Sequence, residues 1–519
     1  MQSYGLTVDK FLDHAAKWSG DREVVTAGAG RIGYAALRAR SNRMSGALAE
    51  LGLRMGDRVA TFAWNTQHHL EMYYAAMGAG FVCHTLNPRL TVAHLAGIVN
   101  EAQDLVLAVD TGLADVAGQL VALCPCIETV VLLDGDEDRP QAIGGRRTFA
   151  FETLLAELGR ETVWGAFAEE MPAGLCYTSG TTGSPKGVLY THRSNYLHTL
   201  RALQADAFAL TAADAALVAV PMFHANAWGF PFAAPATGSK LVLPGRQTDG
   251  ARLARLIRDE GVTLAVGVQT VWQGLLDYLD AEGGDVPSLE RVLIGGSTCP
   301  DALIERMEKR LKARVQTSWG MTELSPLGTI APARGEGRAV ASGRPALGLD
   351  LKLTNAEGTT LPEQRNVTGH LKVKGASVLD RYFKAASDAL DSEGYFDTGD
   401  LASIDDAGNL TISGRSKDLI KSGGEWINPS EIEVIVGRLP GVSQVAVIGR
   451  ADDKWGERPI LVVEPQKSHD IDDAALLGAL RGQVADWWIP DQVIQVAQMP
   501  LAATGKIDKN RLRAEYART

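Results

Sequence analysis

Cysteine is scarce: five in 519 residues (Cys83, Cys124, Cys126, Cys176 and Cys299), odd in number and without a framework spacing. That excludes a disulfide-stapled scaffold and fits a reducing compartment. Positive charge is also short. Lys plus Arg number 51 against 62 Asp plus Glu, a formal net charge of −11, which argues against nucleic acid as the main partner, since phosphate backbones demand a basic face. Small anions stay open, because a few lysines in a cleft reverse the local sign. No apolar run approaches the ~18 residues of a membrane span, so no integral membrane segment is expected. The N-terminal segment lacks a basic start followed by an apolar stretch, and the C-terminal Tyr516-Ala517-Arg518-Thr519 carries no lipidation cysteine or retention signal, so a cytoplasmic location is expected. A G-x-S-x-G elbow is missing as well, which leaves a serine hydrolase without support.

The remainder is ordinary for a folded protein, with 45% hydrophobic and 22% charged residues. At about 150 residues per domain the length suggests roughly three domains, or one large domain with an appendage. Short β-branched runs at 105–109 and 129–133 alternate with helical periodicity at 34–51 and 251–260, the pattern of α/β layers with mainly parallel sheets. Near Gly369 the texture turns to short strands, and 405–409 between 401–404 and 410–412 predicts a hairpin. From Gly414 on, a compact α+β pattern follows, in which Asn428-Pro429-Ser430-Glu431 predicts a helix start with Asn capping and Glu reaching back. The expected division is 1–413 and 414–519.

Two patterns invite over-reading. Gly28-Ala29-Gly30-Arg31-Ile32-Gly33 satisfies G-x-G-x-x-G, but the next strand, 58–63, ends in Trp64-Asn65 and not in the acid that a dinucleotide ribose needs. A hairpin turn ahead of a helix is expected there. Cys124-Pro125-Cys126 has no second Cys/His pair at zinc spacing and reads as two buried thiols, while His68-His69 reads as part of an amphipathic helix.

The strong signal is Tyr177-Thr178-Ser179-Gly180-Thr181-Thr182-Gly183-Ser184-Pro185-Lys186-Gly187. Small residues let backbone N–H groups curl round an anion, hydroxyls add donors, and Lys186 supplies charge. A Walker loop is not met, because Lys186 is followed by Gly187 and Val188. A surface loop would explain the Gly and Ser but not the apolar 174–176 running straight into it. A phosphate cradle of another kind is expected.

This loop resembles the signature of the adenylate-forming superfamily: acyl-CoA synthetases, peptide-synthetase adenylation domains and firefly-type luciferases. Further motifs similar to that family's follow in order: Pro221-Met222-Phe223-His224-Ala225-Asn226-Ala227-Trp228-Gly229, Gly295-Gly296-Ser297-Thr298-Cys299-Pro300, and Ser318-Trp319-Gly320-Met321-Thr322-Glu323. Then come Gly394-Tyr395-Phe396-Asp397-Thr398-Gly399-Asp400, the stretch from Gly414-Arg415 to Gly424-Glu425, and Pro500-Leu501-Ala502-Ala503-Thr504-Gly505-Lys506. The resemblance implies a large, multi-subdomain N-terminal α/β region and a small mobile α+β C-terminal lid, hinged near Lys417.

It also implies the chemistry. A carboxylate is a poor electrophile; coupling it to AMP supplies a leaving group, and the thiol of coenzyme A then attacks. The first step joins two anions, so it needs charge neutralisation and alignment. The resemblance assigns ATP and Mg²⁺ to the cleft, the metal to Thr178 and Glu323, hard oxygen ligands. Ser179, Gly180, Thr181, Thr182, Gly183 and Lys186 cradle phosphate; Gly296, Thr317, Ser318, Trp319, Gly320 and Thr322 flank adenine and the α-phosphate; Asp400 accepts the ribose hydroxyls. Arg415, Lys417, Lys421 and Trp426 match adenylate-contacting or hinge positions, Gly423 and Gly424 the pantetheine path, His224 a catalytic position, and Lys506 the lysine bridging carboxylate and α-phosphate.

The acid is read from the presumed pocket, Trp228, Gly267, Val268 and Trp272. Segments 227–232 and 265–272 hold no charge, and 223–226 lacks the acid that would pair an amino-acid substrate's amine. An apolar acid is expected: a short or medium fatty acid, a thioether acid such as methylmercaptopropionate, or an aryl acid. Two other readings are disfavoured: an NAD(P)-dependent oxidoreductase by the missing strand-end acid, and a noncatalytic nucleotide binder by the presence of Glu323, Asp400 and Lys506; a homodimer is left open.

Overall fold

A computed structural model of the chain describes residues 1–135, 141–178, 185–296, 299–334, 341–423, 425–466, 469, 471–502 and 506–517. Two large sheets dominate. The first runs in the order Arg147–Ala150, Thr129–Leu132, Asp104–Val109, Arg58–Phe62, Val82–Thr85, Pro172–Tyr177 and Gly187–Thr191, parallel except for its last strand. The second places Arg314–Gly320, Arg291–Gly295, Leu264–Val268, Ala215–Val218, Lys240–Leu243 and Glu23–Thr26 side by side in parallel, with antiparallel strands at both edges. Parallel strands covered by helices on both faces read as apolar runs, which is why 105–109 and 129–133 were legible.

One core cluster joins the two sheets. Between them lies the helix Gln67–Gly78, buried at every position from His69 to Gly78, as expected of a helix without a solvent face. His68 bonds Glu152 at its edge, and buried His69 sits between Trp64 O and Thr61 Oγ1. Helix Tyr34–Glu50 follows the hairpin of Glu23–Thr26 with Gly30–Gly33, so the glycine pattern there is the expected turn and holds no crossover.

A four-stranded antiparallel sheet, Leu349–Thr354, Thr368–Gly375, Phe396–Ile404 and Leu410–Arg415, forms a third body. Its last hairpin turns at 405–409, with Ile404 opposite Leu410. After the single turn Ser416–Asp418, the C-terminal region builds its own sheet around the ribbon of Val442–Asp452 with Gly456–Pro465, and its own core around Ile432, Val447 and Leu461. Helix Pro429–Val436 starts as expected: the Asn428 side chain accepts from Ser430 N. Glu431, however, accepts from the Asn428 amide and not from its backbone. Among the described residues no helix is long and apolar enough to cross a membrane, and no three metal-ligating side chains cluster.

Candidate active site

The site residues gather where parallel strands of both sheets end, the place an open α/β sheet leaves for a ligand. Pro172–Tyr177 runs into Thr178 and the glycine-serine loop; Arg291–Gly295 runs into Gly296; Leu264–Val268 ends at Gly267 and Val268. Ser179, Gly180, Thr181, Thr182, Gly183 and Gly424 lie outside the described residues. The ends of the loop are closed on each other: Thr178 N donates to Lys186 O at 2.9 Å. The Lys186 ammonium stands 4.8 Å from the Tyr382 ring centroid.

Glu323 lies in the turn Thr322–Leu324 and is buried. Tyr382 OH donates to its Oε1 at 2.9 Å, and no lysine or arginine among the described residues pairs with it. Burial lifts its pKa, with Tyr382 and the more distant Arg415 and Lys186 pulling the other way. A buried carboxylate with no cationic partner among the described residues suits a divalent cation that takes oxygen ligands. The turn is braced from below: Tyr190 OH donates to Thr322 O, and the buried Arg201 donates to Leu327 O at 2.8 Å.

Asp400 is buried and fully engaged. Arg415 Nε forms an ion pair with Oδ1 at 2.7 Å, and Trp319 Nε1 donates to Oδ2 at 2.9 Å; burial nevertheless raises its pKa. Thr317 and Ser318 are turned to carbonyls, Ala341 O and Ile294 O. Gly320 touches the backbone of Pro326, where a Cβ would clash at 2.2 Å.

Lys506 enters this cleft. The residue is exposed at the mouth, yet the protein crowding its ammonium, then Arg415, pushes its pKa down to about 8 against the pull of Asp400 and Glu323. Its field reaches His224, whose imidazole burial holds down at about 4, with Lys506 and Arg89 adding to the effect. His224 is therefore neutral at pH 7. Lys417, in the turn between the two regions, is also lowered by burial.

The other C-terminal candidates stand elsewhere. Lys421 and Trp426 face one another on the exposed face of the ribbon of Ile420–Ser422 with Glu425–Ile427, 5.4 Å from ammonium to ring. Gly423 N donates to Trp455 O at 2.8 Å, and a Cβ on Gly423 would meet the Trp455 ring at 2.9 Å.

The presumed pocket residues separate. Trp228 is half-buried and its ring lies over Gly295, 3.2 Å from where a Cβ would stand. It is presented by an uncommon turn: Ala225, Asn226, Ala227 and Trp228 all have left-handed backbone, φ 45°, 51°, 46° and 56°. Left-handed backbone costs a non-glycine residue on the order of 1 kcal/mol or more, so packing must hold it. Trp272 instead is fully buried in a core with Leu275 and Val292, its Nε1 donating to Gly267 O at 3.2 Å. A cavity of about 180 Å³ adjoins Val268, lined also by Trp64, Phe223, Thr270, Arg89 and Arg246. Uncharged segments alone did not reveal those two guanidiniums, which come from other strand ends and sit over Phe223 and Trp64 at 5.8 and 5.9 Å.

Residues 11–383 match the family described as AMP-binding enzyme, and residues 431–506 its C-terminal domain. The chain belongs to the AMP-binding enzyme family. This AMP-binding enzyme is 42% identical to a 3-methylmercaptopropionyl-CoA ligase of Ruegeria lacuscaerulensis, over 99% of this chain and 98% of that protein. It is 40% identical to a medium-chain-fatty-acid–CoA ligase of Ectopseudomonas oleovorans, over 98% and 96%. Among solved structures it resembles the O-succinylbenzoate coenzyme A synthetase of Bacillus subtilis in complex with ATP and magnesium ion, at 25% identity and a TM-score of 0.82 over 97% of this chain and 99% of that one. It is an AMP-forming acyl-CoA synthetase, and the oxidoreductase reading falls with the hairpin at Gly28–Gly33.

Proposed function

We propose that this enzyme activates an apolar carboxylic acid with ATP and passes the acyl group to coenzyme A, and that Lys506 serves only the first of the two steps. The observation that carries the reading is the Lys506 ammonium lying within electrostatic reach of Asp400 in the strand Phe396–Ile404, Glu323 in the turn Thr322–Leu324 and Arg415 at the end of the strand Leu410–Arg415. Thr178 and Glu323 would hold Mg²⁺, which neutralises phosphate charge. Asp400 would exchange part of its present hold on Arg415 and Trp319 for the ribose hydroxyls, which a carboxylate can accept in pairs. Lys506 would lie between the acid's carboxylate and the α-phosphate, reducing repulsion between two anions. Neutral His224 can accept or donate one hydrogen bond without adding charge.

The second step needs the lysine gone and a path for the thiol. The turn at Lys417 is the one covalent link between the two sheets on either side, which supports it as the hinge. Gly423, now under Trp455, and Gly424 would face the path after rotation. The large region would span 1–413 and the lid 414–519. Reduced cysteines and the use of ATP and coenzyme A support a cytoplasmic location.

For the acid, Trp228 over Gly295 supports a short or medium chain, and the similarity to a methylmercaptopropionyl-CoA ligase supports a thioether acid of that size. The test is direct: protein, MgATP and a panel of fatty, thioether and aryl acids, with AMP and thioester measured with and without coenzyme A. AMP and thioester from short thioether or medium fatty acids are expected. Thioester formed best from long or aryl acids would overturn the substrate reading, and no AMP with any acid would overturn the activity.

A further inference from the structure

Residues 379–383 run as a strap from the Glu323 turn to the exit of the phosphate loop. At one end Leu379 N donates to Glu323 O at 2.8 Å; at the other Phe383 N donates to Gly187 O at 2.8 Å. Midway, Tyr382 makes two contacts of different kinds. Its hydroxyl donates to Glu323 Oε1 at 2.9 Å, and its ring carries the Lys186 ammonium 4.8 Å from the centroid. Phe396 packs edge-on against the ring at 6.3 Å and fixes it from a third side.

We propose that Tyr382 is a positioning residue that holds the Mg²⁺ carboxylate Glu323 and the phosphate-loop lysine Lys186 in register with each other. The proposal rests on the assignment of Glu323 to Mg²⁺. Its logic is that both partners must be oriented without being neutralised. A lysine or arginine bonded to Glu323 would compete with the divalent cation for the carboxylate's charge; a phenol donates a hydrogen bond and leaves that charge intact. A carboxylate beside Lys186 would compete with phosphate for the ammonium; the face of an aromatic ring attracts the cation without offering it an anion. One tyrosine does both. The hydroxyl serves the metal side and the ring serves the phosphate side, so substitutions separate them.

The experiment measures ATP binding by calorimetry across a Mg²⁺ series, without acid or coenzyme A, alongside thermal unfolding of the ligand-free proteins. Tyr382→Phe keeps the ring and loses the hydroxyl; Tyr382→Leu loses both. Tyr395→Phe removes another tyrosine–carboxylate contact, to Asp350, away from the cleft and is the control. Tyr382→Phe is expected to need about tenfold more Mg²⁺ or above for half-maximal binding, and to bind ATP as the wild type does once Mg²⁺ saturates. Tyr382→Leu should show the same shift and also bind ATP several-fold more weakly at saturating Mg²⁺. Tyr395→Phe should match the wild type in both. A folded Tyr382→Phe with wild-type Mg²⁺ dependence overturns the proposal, as does Tyr382→Leu that matches Tyr382→Phe at saturating Mg²⁺. A wild type whose ATP binding ignores Mg²⁺ would instead remove the Glu323 assignment itself, so the two failures are distinguishable.

Discussion

Glu323→Gln keeps the shape of the side chain and an oxygen for the Tyr382 hydroxyl but removes the charge. Adenylation at limiting Mg²⁺ should fall by one to several kcal/mol in barrier, about tenfold in rate per 1.4 kcal/mol; an unchanged rate would end the metal assignment. Lys506 allows a pH prediction. Its pKa is lowered to about 8 in the ligand-free protein, so the charged form dominates below that value and is lost as pH rises through it. The kcat/KM for acyl-adenylate formation, which reports groups in the free enzyme, should therefore fall on the alkaline side near pH 8, not near the ordinary lysine value. Bound anions favour the ammonium, so kcat should hold to higher pH. A kcat/KM profile flat through pH 9.5 would show that Lys506 is not the group required in charged form.

At the scale of elements, the two tryptophans of the uncharged segments make opposite predictions. Trp228, on its left-handed turn over Gly295, should when changed to Ala open room for longer acids, each added buried methylene being worth about 0.8 kcal/mol; an unaltered chain-length profile would remove it from the pocket. Trp272→Ala leaves a hole in a closed core and should cost about 3–5 kcal/mol of stability, read as a lowered unfolding midpoint, with the chain-length profile unchanged. Both residues were visible in the sequence only as bulky apolar side chains in an uncharged segment. Which face of the sheet each takes depends on packing, and that left no local mark. Patterns carried by spacing did survive: the strand starting at Asp104, the helix 250–260 and the 405–409 turn follow from short-range periodicity. Contacts made across long separations were silent. Tyr382 to Glu323 spans 59 positions and Trp319 to Asp400 spans 81, and no periodicity joins residues so far apart. The motifs named Asp400 for a ribose, but not the arginine and indole that hold it meanwhile.

For the whole molecule the question is what the C-terminal region does between the two half-reactions. In this arrangement Lys506 is in the cleft, while Gly423 is capped by Trp455 and Trp426 is exposed. If Lys506 acts as proposed, this disposition serves the first half-reaction. Gly424→Leu, which would put a branched side chain into the thiol's path after rotation, should leave pyrophosphate exchange intact and block thioester formation; loss of exchange first would contradict the path assigned to it. The most direct measurement concerns Lys506→Ala, assayed separately for pyrophosphate exchange and for conversion of a supplied acyl-adenylate plus coenzyme A to thioester, with folding checked by thermal unfolding. Exchange should be lost and thioester formation from the adenylate retained. A folded variant that loses both steps, or keeps exchange, would contradict a lid whose lysine acts in the first half-reaction alone.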